Sequence, residues 1–134
     1  LREAIMGTRA VYTFIDEDSR HSVYKHWDGY PKWACRFIAN ALELAWPLPR
    51  FEADEYAAAF VAANKKEAGN VRLTSGPSAH GDLEYAYEVR CPEGRIRISI
   101  FKVGYLGPGL RRTELQPLFE GTLEDALQFS ATYN

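Results

Sequence analysis

Between His21 and Trp33 the chain reads HSVYKHWDGYPKW. A histidine, an aspartate, a lysine and two aromatic rings, Trp27 and Tyr30, crowd one short turn. The first half alternates as a strand does, with Val23, Lys25 and Trp27 on one face and Tyr24, His26 and Asp28 on the other. Asp28-Gly29 breaks the strand. Pro31 stands where a first-turn proline belongs, and an apolar helical pattern follows directly. A helix start leaves backbone N–H groups unpaired and puts the positive end of a dipole there, which favours an anion. Trp27 and Tyr30 offer flat faces to a base or sugar. Lys32, together with the helix start, favours a phosphate. Arg9 and Arg97, with Arg111 and Arg112, join this set if the sheet brings them near, since a guanidinium pairs with phosphate in a fixed fork. The candidate ligand-binding residues are therefore Arg9, His26, Trp27, Asp28, Tyr30, Lys32 and Arg97.

Two other readings of the same residues stand beside this one. His26 and Asp28 are two apart on a strand, which permits an Asp-oriented imidazole acting as a general base, as in a nucleotide hydrolase. Equally, the turn is a rigid structural device and Trp27 a core ring beneath the helices. No nucleophile elbow, zinc-protease motif, P-loop or dinucleotide fingerprint is present. His21 and His26 are five apart and point to opposite faces, so they do not share a metal. The residues call for no catalytic set, no cofactor and no metal.

The elements that must position these residues follow from the patterning. Thr8 to Ile15 alternates and is rich in β-branched and aromatic residues; the polar turn DEDSR leads into a second strand, giving an antiparallel hairpin with Arg9 across from the Trp27 end. A first helix is predicted from Pro31 to Ala45, ended by Pro47 and Pro49. A second covers Glu52 to Ala68, with Gly69 as its C-cap. Val71 to Thr74 is a short strand, and SGPSAHGD a loop. Leu83, Tyr85, Tyr87, Val89 and Cys91 share one face of a strand that turns at Pro92-Glu93-Gly94 and returns with Ile96, Ile98 and Ile100 inward. GYLGPGLRR is a glycine loop. Leu115 to Phe119 is a short extended piece, and a final helix starts at Thr122, capped with Asp125 three residues on. This order predicts an α+β fold: an antiparallel sheet of about five strands, with two consecutive helices inserted after the second strand and packed on one face.

At 134 residues the chain is read as a single domain, 1–134, large enough to bury a core. Met6 is a candidate natural start, which would place residues 1–5 upstream of it. The net charge of −2 provides no basic field for nucleic acid. No signal sequence or membrane span is read. Two cysteines without metal-ligand spacing fit reduced core residues in a cytoplasmic protein. The outer face of the 83–103 hairpin mixes Ala86, Phe101 and Val103 with charges, and Tyr105 and Tyr133 add surface aromatics. Both predict a homodimer or a higher homo-oligomer.

The start MGTRA, a polar turn and then YKHWDGYP resemble a family of small bacteriophage and prophage proteins with a HWDGYP-type turn into a helix. The characterised proteins to which it is similar are the Thoeris anti-defence proteins, phage sponges that sequester cyclic ADP-ribose signals. The resemblance covers Met6 to Val103, with His26 to Pro31 as its specific part, and Trp33 stands where a glycine is usual. It implies two helices between the second and third strands, a nucleotide-like ligand bound without turnover, and a place in the cytoplasm of the bacterial host.

Overall fold

The computed structural model describes residues 7–105 and 112–133. Strand β1 (Arg9–Ile15) and strand β2 (Arg20–Lys25) pair antiparallel, Ala10 opposite Lys25 and Ile15 opposite Arg20. Their turn is organised by Asp16, whose carboxylate accepts the backbone N–H groups of Asp18 and Ser19 at 2.8 Å each. The same carboxylate accepts the N–H of Ala53 at 2.7 Å. It thereby satisfies an orphan donor at the start of α2 (Ala53–Asn64). These contacts, the one to Ala53 foremost, hold the Asp16 carboxyl below its usual range.

Helix α1 (Pro31–Asn40) begins at its proline and buries Ala34, Cys35 and Ile38. It is shorter than expected, because a 3-10 turn over Ala41–Glu43 replaces its last part. Helix α2 also ends early, at Asn64. The Asn64 amide donates to the carbonyls of Phe60 and Phe37, both at 2.9 Å, which stops α2 and ties it to α1. Gly69, with φ of 79°, serves the turn into β3 (Val71–Thr74) rather than the helix end.

β3 pairs with β2 at one edge of the sheet. The chain then crosses the face away from the helices and enters β4 (Leu83–Arg90) on the far side of β1, parallel to it. β5 (Arg97–Tyr105) returns antiparallel to β4, and β6 (Arg112–Thr122) closes the order β3-β2-β1-β4-β5-β6. The architecture is α+β, but the sheet is mixed and has six strands, not five antiparallel ones. A parallel neighbour leaves no hairpin signature in the sequence, and here the crossover is only a short loop where such links usually carry a helix. The sixth strand extends well beyond the short piece expected at 115–119. A third helix, α3 (Leu123–Thr132), lies against α1; Thr122 caps it by accepting the N–H of Asp125 at 3.1 Å.

The main core lies between sheet and helices. Tyr12 sits 4.6 Å from Phe60 and 5.0 Å from Tyr87, ring centroid to centroid, and Phe14 5.2 Å from Phe60. A smaller apolar cluster, Val11, Tyr24, Leu83 and Val103, lies on the opposite face. Leu83 was expected beside Tyr85 in the main core. A register shift in the β1–β4 pair skips Glu84, so Arg9 faces Leu83 while Ala10 faces Tyr85, and Leu83 is buried in the smaller cluster on the other face instead. Among the charges on this face, Arg97 and Arg90 pair with Glu120 and Glu88 of the same chain. Tyr133 packs against Tyr30 and Phe129. Of the predicted glycine loop, Gly104 and Tyr105 belong to β5 and Arg112 opens β6, while 106–111, with Arg111, lie outside the described residues.

Candidate functional site

The HWDGYP turn is fastened at nearly every residue. The N–H of His26 donates to the Asn70 carbonyl at 2.8 Å, and that of Trp27 to the Asn70 side chain at 3.2 Å. Lys25 donates to the Trp27 carbonyl at 2.9 Å, and its ammonium lies 4.1 Å from the centre of the Phe37 ring. Asp28 is buried and left-handed, with φ of 62°, a conformation that aspartate tolerates better than most residues. Gly29 donates to the Thr8 carbonyl at 2.9 Å, and its own carbonyl accepts the Tyr87 hydroxyl. A Cβ at Gly29 would stand 2.6 Å from the Ala10 Cβ and 2.8 Å from the Thr8 oxygen, so no larger residue fits.

The polar side chains converge beside this turn, on the open face of the sheet. Arg9 starts β1, Tyr24 projects from β2 on the face away from the helices, where it is buried, Arg72 lies opposite Tyr24 on β3, and His80 and Asp82 end the crossover loop. The His80 ring stacks on Tyr24 at 4.2 Å, and the Arg72 guanidinium lies 4.7 Å from the Tyr24 ring centre. Thr74 and the His80 ring share a hydrogen bond of 2.7 Å. Arg9 Nη2 is 3.2 Å from His26 Nε2, and His26 Nδ1 is 2.9 Å from the Tyr24 hydroxyl, which lies 3.2 Å from Asp82 Oδ2. The proton positions follow. Arginine only donates, so His26 Nε2 must accept. The neutral ring then carries its proton on Nδ1 and donates to the Tyr24 oxygen, leaving the Tyr24 O–H to donate to Asp82. Burial first, and then the charges of Arg9 and Arg72, push the His26 imidazole below its usual value, against a weaker opposing pull from Asp82. Burial likewise lowers His80 and raises the Tyr24 phenol.

Of the residues named from the sequence, Arg9 and His26 meet here, and Trp27 stands edge-on to His26 at 5.4 Å. The others lie elsewhere. Asp28 is buried, and its charge acts on Tyr12. Tyr30 packs edge-on against Tyr85 at 5.6 Å. Lys32 extends along the exposed side of α1, 5.3 Å from the Trp33 ring. Arg97, at the far end of the sheet, is held by Glu120 at 2.7 and 2.9 Å. The carboxylate that acts on His26 is Asp82, reached through Tyr24. Tyr24, Arg72, His80 and Asp82 are the residues that sequence reasoning missed. Tyr24 and Arg72 carried a signal, as outward positions of neighbouring strands; His80 and Asp82 sit in an aperiodic loop and carried none.

A concavity of about 520 Å³ lies elsewhere, at the other end of β1. Its charged lining is mainly acidic, Asp16, Glu17, Asp18, Glu52 and Glu93 against Arg90, which disfavours an anion. A smaller hollow of about 200 Å³ lies beneath the crossover loop between Thr13, Arg20, Pro77 and Ala86, on the same face as the polar cluster. Among the described residues no group of three or more His, Cys, Asp or Glu is placed to hold a metal ion, and no helix is long and apolar enough to cross a membrane. No family model matches the chain, and neither a curated protein nor a solved structure matches it.

Proposed function

We propose that this protein binds an anionic, nucleotide-like ligand on the open face of its sheet and holds it without turnover. The observation that carries the reading is the convergence of Arg9 and Arg72 with His26 and His80 around Tyr24, with Asp82 as the carboxylate among them. Two guanidiniums favour phosphate oxygens, and the edges of Trp27 and His80 extend the aromatic surface toward a base. Both nitrogens of His26 are engaged by Arg9 and Tyr24, which favours a binding role over general-base catalysis with Asp28. The resemblance of the HWDGYP turn to phage sponge proteins points to cyclic ADP-ribose signals as the ligand class and anti-defence as the role. The tight fastening of that turn favours a second reading, an interaction module in which HWDGYP only braces the fold.

One experiment separates these readings. The protein is incubated with cyclic ADP-ribose isomers, freed of unbound ligand and heated, and the released material is analysed. Intact ligand supports sequestration, cleaved ligand an enzyme, and no retained ligand the interaction module. Arg9→Ala and Arg72→Ala each reduce retention at least about tenfold, the scale of one lost charge-assisted contact. Arg97→Ala leaves retention unchanged, because Arg97 lies outside the cluster and binds Glu120.

A further inference from the structure

The Arg9 guanidinium is incompletely used. Nη1 donates to the Gly7 carbonyl and Nη2 to His26 Nε2, while Nε is buried and has no hydrogen-bond partner. Nε and Nη2 form one edge of the guanidinium, the pair of parallel donors that grips a single oxyanion. In Arg9 this edge is split between a ring nitrogen and Asp82 Oδ2, which stands 3.5 Å from Nε, beyond hydrogen-bond length. Asp82 belongs to the crossover loop and its side chain is about half exposed, at 53%, against 27% for Arg9. Its other anchor is the Tyr24 hydroxyl at 3.2 Å. A buried orphan donor, a buried hydroxyl held only at 3.2 Å and an exposed carboxylate that fills neither well make an oxyanion site occupied by a poor internal substitute.

Resting on the anion-binding reading above, we propose that Asp82 occupies the place of a phosphate group of the ligand. On binding, one phosphate oxygen accepts hydrogen bonds from the Arg9 Nε–H and the Tyr24 O–H, and the Asp82 carboxylate swings into water. His26 then faces the incoming anion as well as Arg9. The charged groups around it are Arg9 from β1, Arg72 from β3 and Asp82 from the loop, with Tyr24 and His80 titratable beside them. Exchanging Asp82 for a doubly charged phosphate strengthens the pull on every donor in the cluster.

The test uses the full chain and inorganic phosphate as the probe, with affinity read by calorimetry and the Arg9 Nε–H by nitrogen-edited NMR. Asp82→Asn keeps an acceptor for Tyr24 and removes the competing charge; it binds phosphate at least tenfold more tightly than the parent protein. In both proteins phosphate moves the Arg9 Nε–H resonance downfield. Glu84→Gln, which removes an equal charge two residues away, changes affinity less than threefold. An equal gain in Glu84→Gln reduces the effect to general charge and overturns the proposal. So does unchanged or weaker binding in Asp82→Asn while the parent protein binds phosphate through Arg9, an outcome that leaves the anion-binding reading intact. Absence of phosphate and of nucleotide binding in all three proteins overturns both.

Discussion

Tyr12 and Tyr87 give opposite responses to the same substitution. Both rings are fully buried and stack 5.0 Å apart in the main core. The Tyr87 hydroxyl donates to the Gly29 carbonyl, whereas the Tyr12 hydroxyl has no hydrogen-bond partner. Burial drives both phenols well above their usual pKa, so each stays neutral. A hydroxyl taken out of water without a partner costs about 1–3 kcal/mol. Tyr12→Phe recovers that cost, less a fraction of a kcal/mol for the small gap it leaves, and stabilises the protein by about 1–2 kcal/mol. Tyr87→Phe strands the Gly29 carbonyl and loses about 1–3 kcal/mol. The two variants therefore differ by about 2–5 kcal/mol, or on the order of 10 °C in melting temperature for a domain of this size. Urea denaturation measures this directly, provided the slope against denaturant stays constant. Tyr12→Phe losing as much stability as Tyr87→Phe refutes the reasoning, because it shows the Tyr12 hydroxyl to be satisfied in solution.

Gly29→Ala places a methyl group in contact with the Ala10 Cβ and the Thr8 carbonyl, and lowers stability by about 2–3 kcal/mol by the same assay; a loss within experimental error refutes the close packing. The histidines set a pH dependence. His26 and His80 titrate below their ordinary value of 6.5 in the folded protein, so the unfolded chain binds more protons between the two values. Stability is accordingly lost as pH falls through about 6.5 and levels off below the folded values. Urea midpoints at pH 7.5, 6.5 and 5.5 trace this slope, and a double His26→Gln, His80→Gln variant flattens it; an unaltered slope in that variant assigns the dependence to other groups.

What was legible in the sequence was local. The β1–β2 hairpin, the short strand Val71–Thr74 and the Thr122 cap all rest on alternation or on a cap spaced three residues away, and the structure has each. The helix ends were not legible, because tertiary contacts set them: Asn64 stops α2 by reaching across to Phe37. Leu83 broke its alternation because a bulge at Glu84 answers to the pairing with β1. The candidate site divides in the same way. Arg9 and His26 could be paired by following one hairpin, while Arg72, His80 and Asp82 enter only through strand order and the crossover. Lys32 and Tyr30 lie near His26 in sequence, but the helix start turns them away from the open face.

The parallel seam between β1 and β4 bears on how the chain is completed during synthesis. Ala10–Phe14 pair with Tyr85–Val89, so one side of the central strand has no neighbour until some seventy further residues have left the ribosome. Until then the hairpin, α1 and α2 can assemble around β1, but its open edge presents unpaired N–H and C=O groups and half of the aromatic core lacks Tyr87. A nascent chain halted before β4 is thus a sticky intermediate. The same late strand follows directly after Asp82, so the cluster of Arg9, Tyr24 and Asp82 is completed in the step that seals the sheet. A product truncated before β4 therefore leaves the open edge of β1 exposed to the cell's proteases.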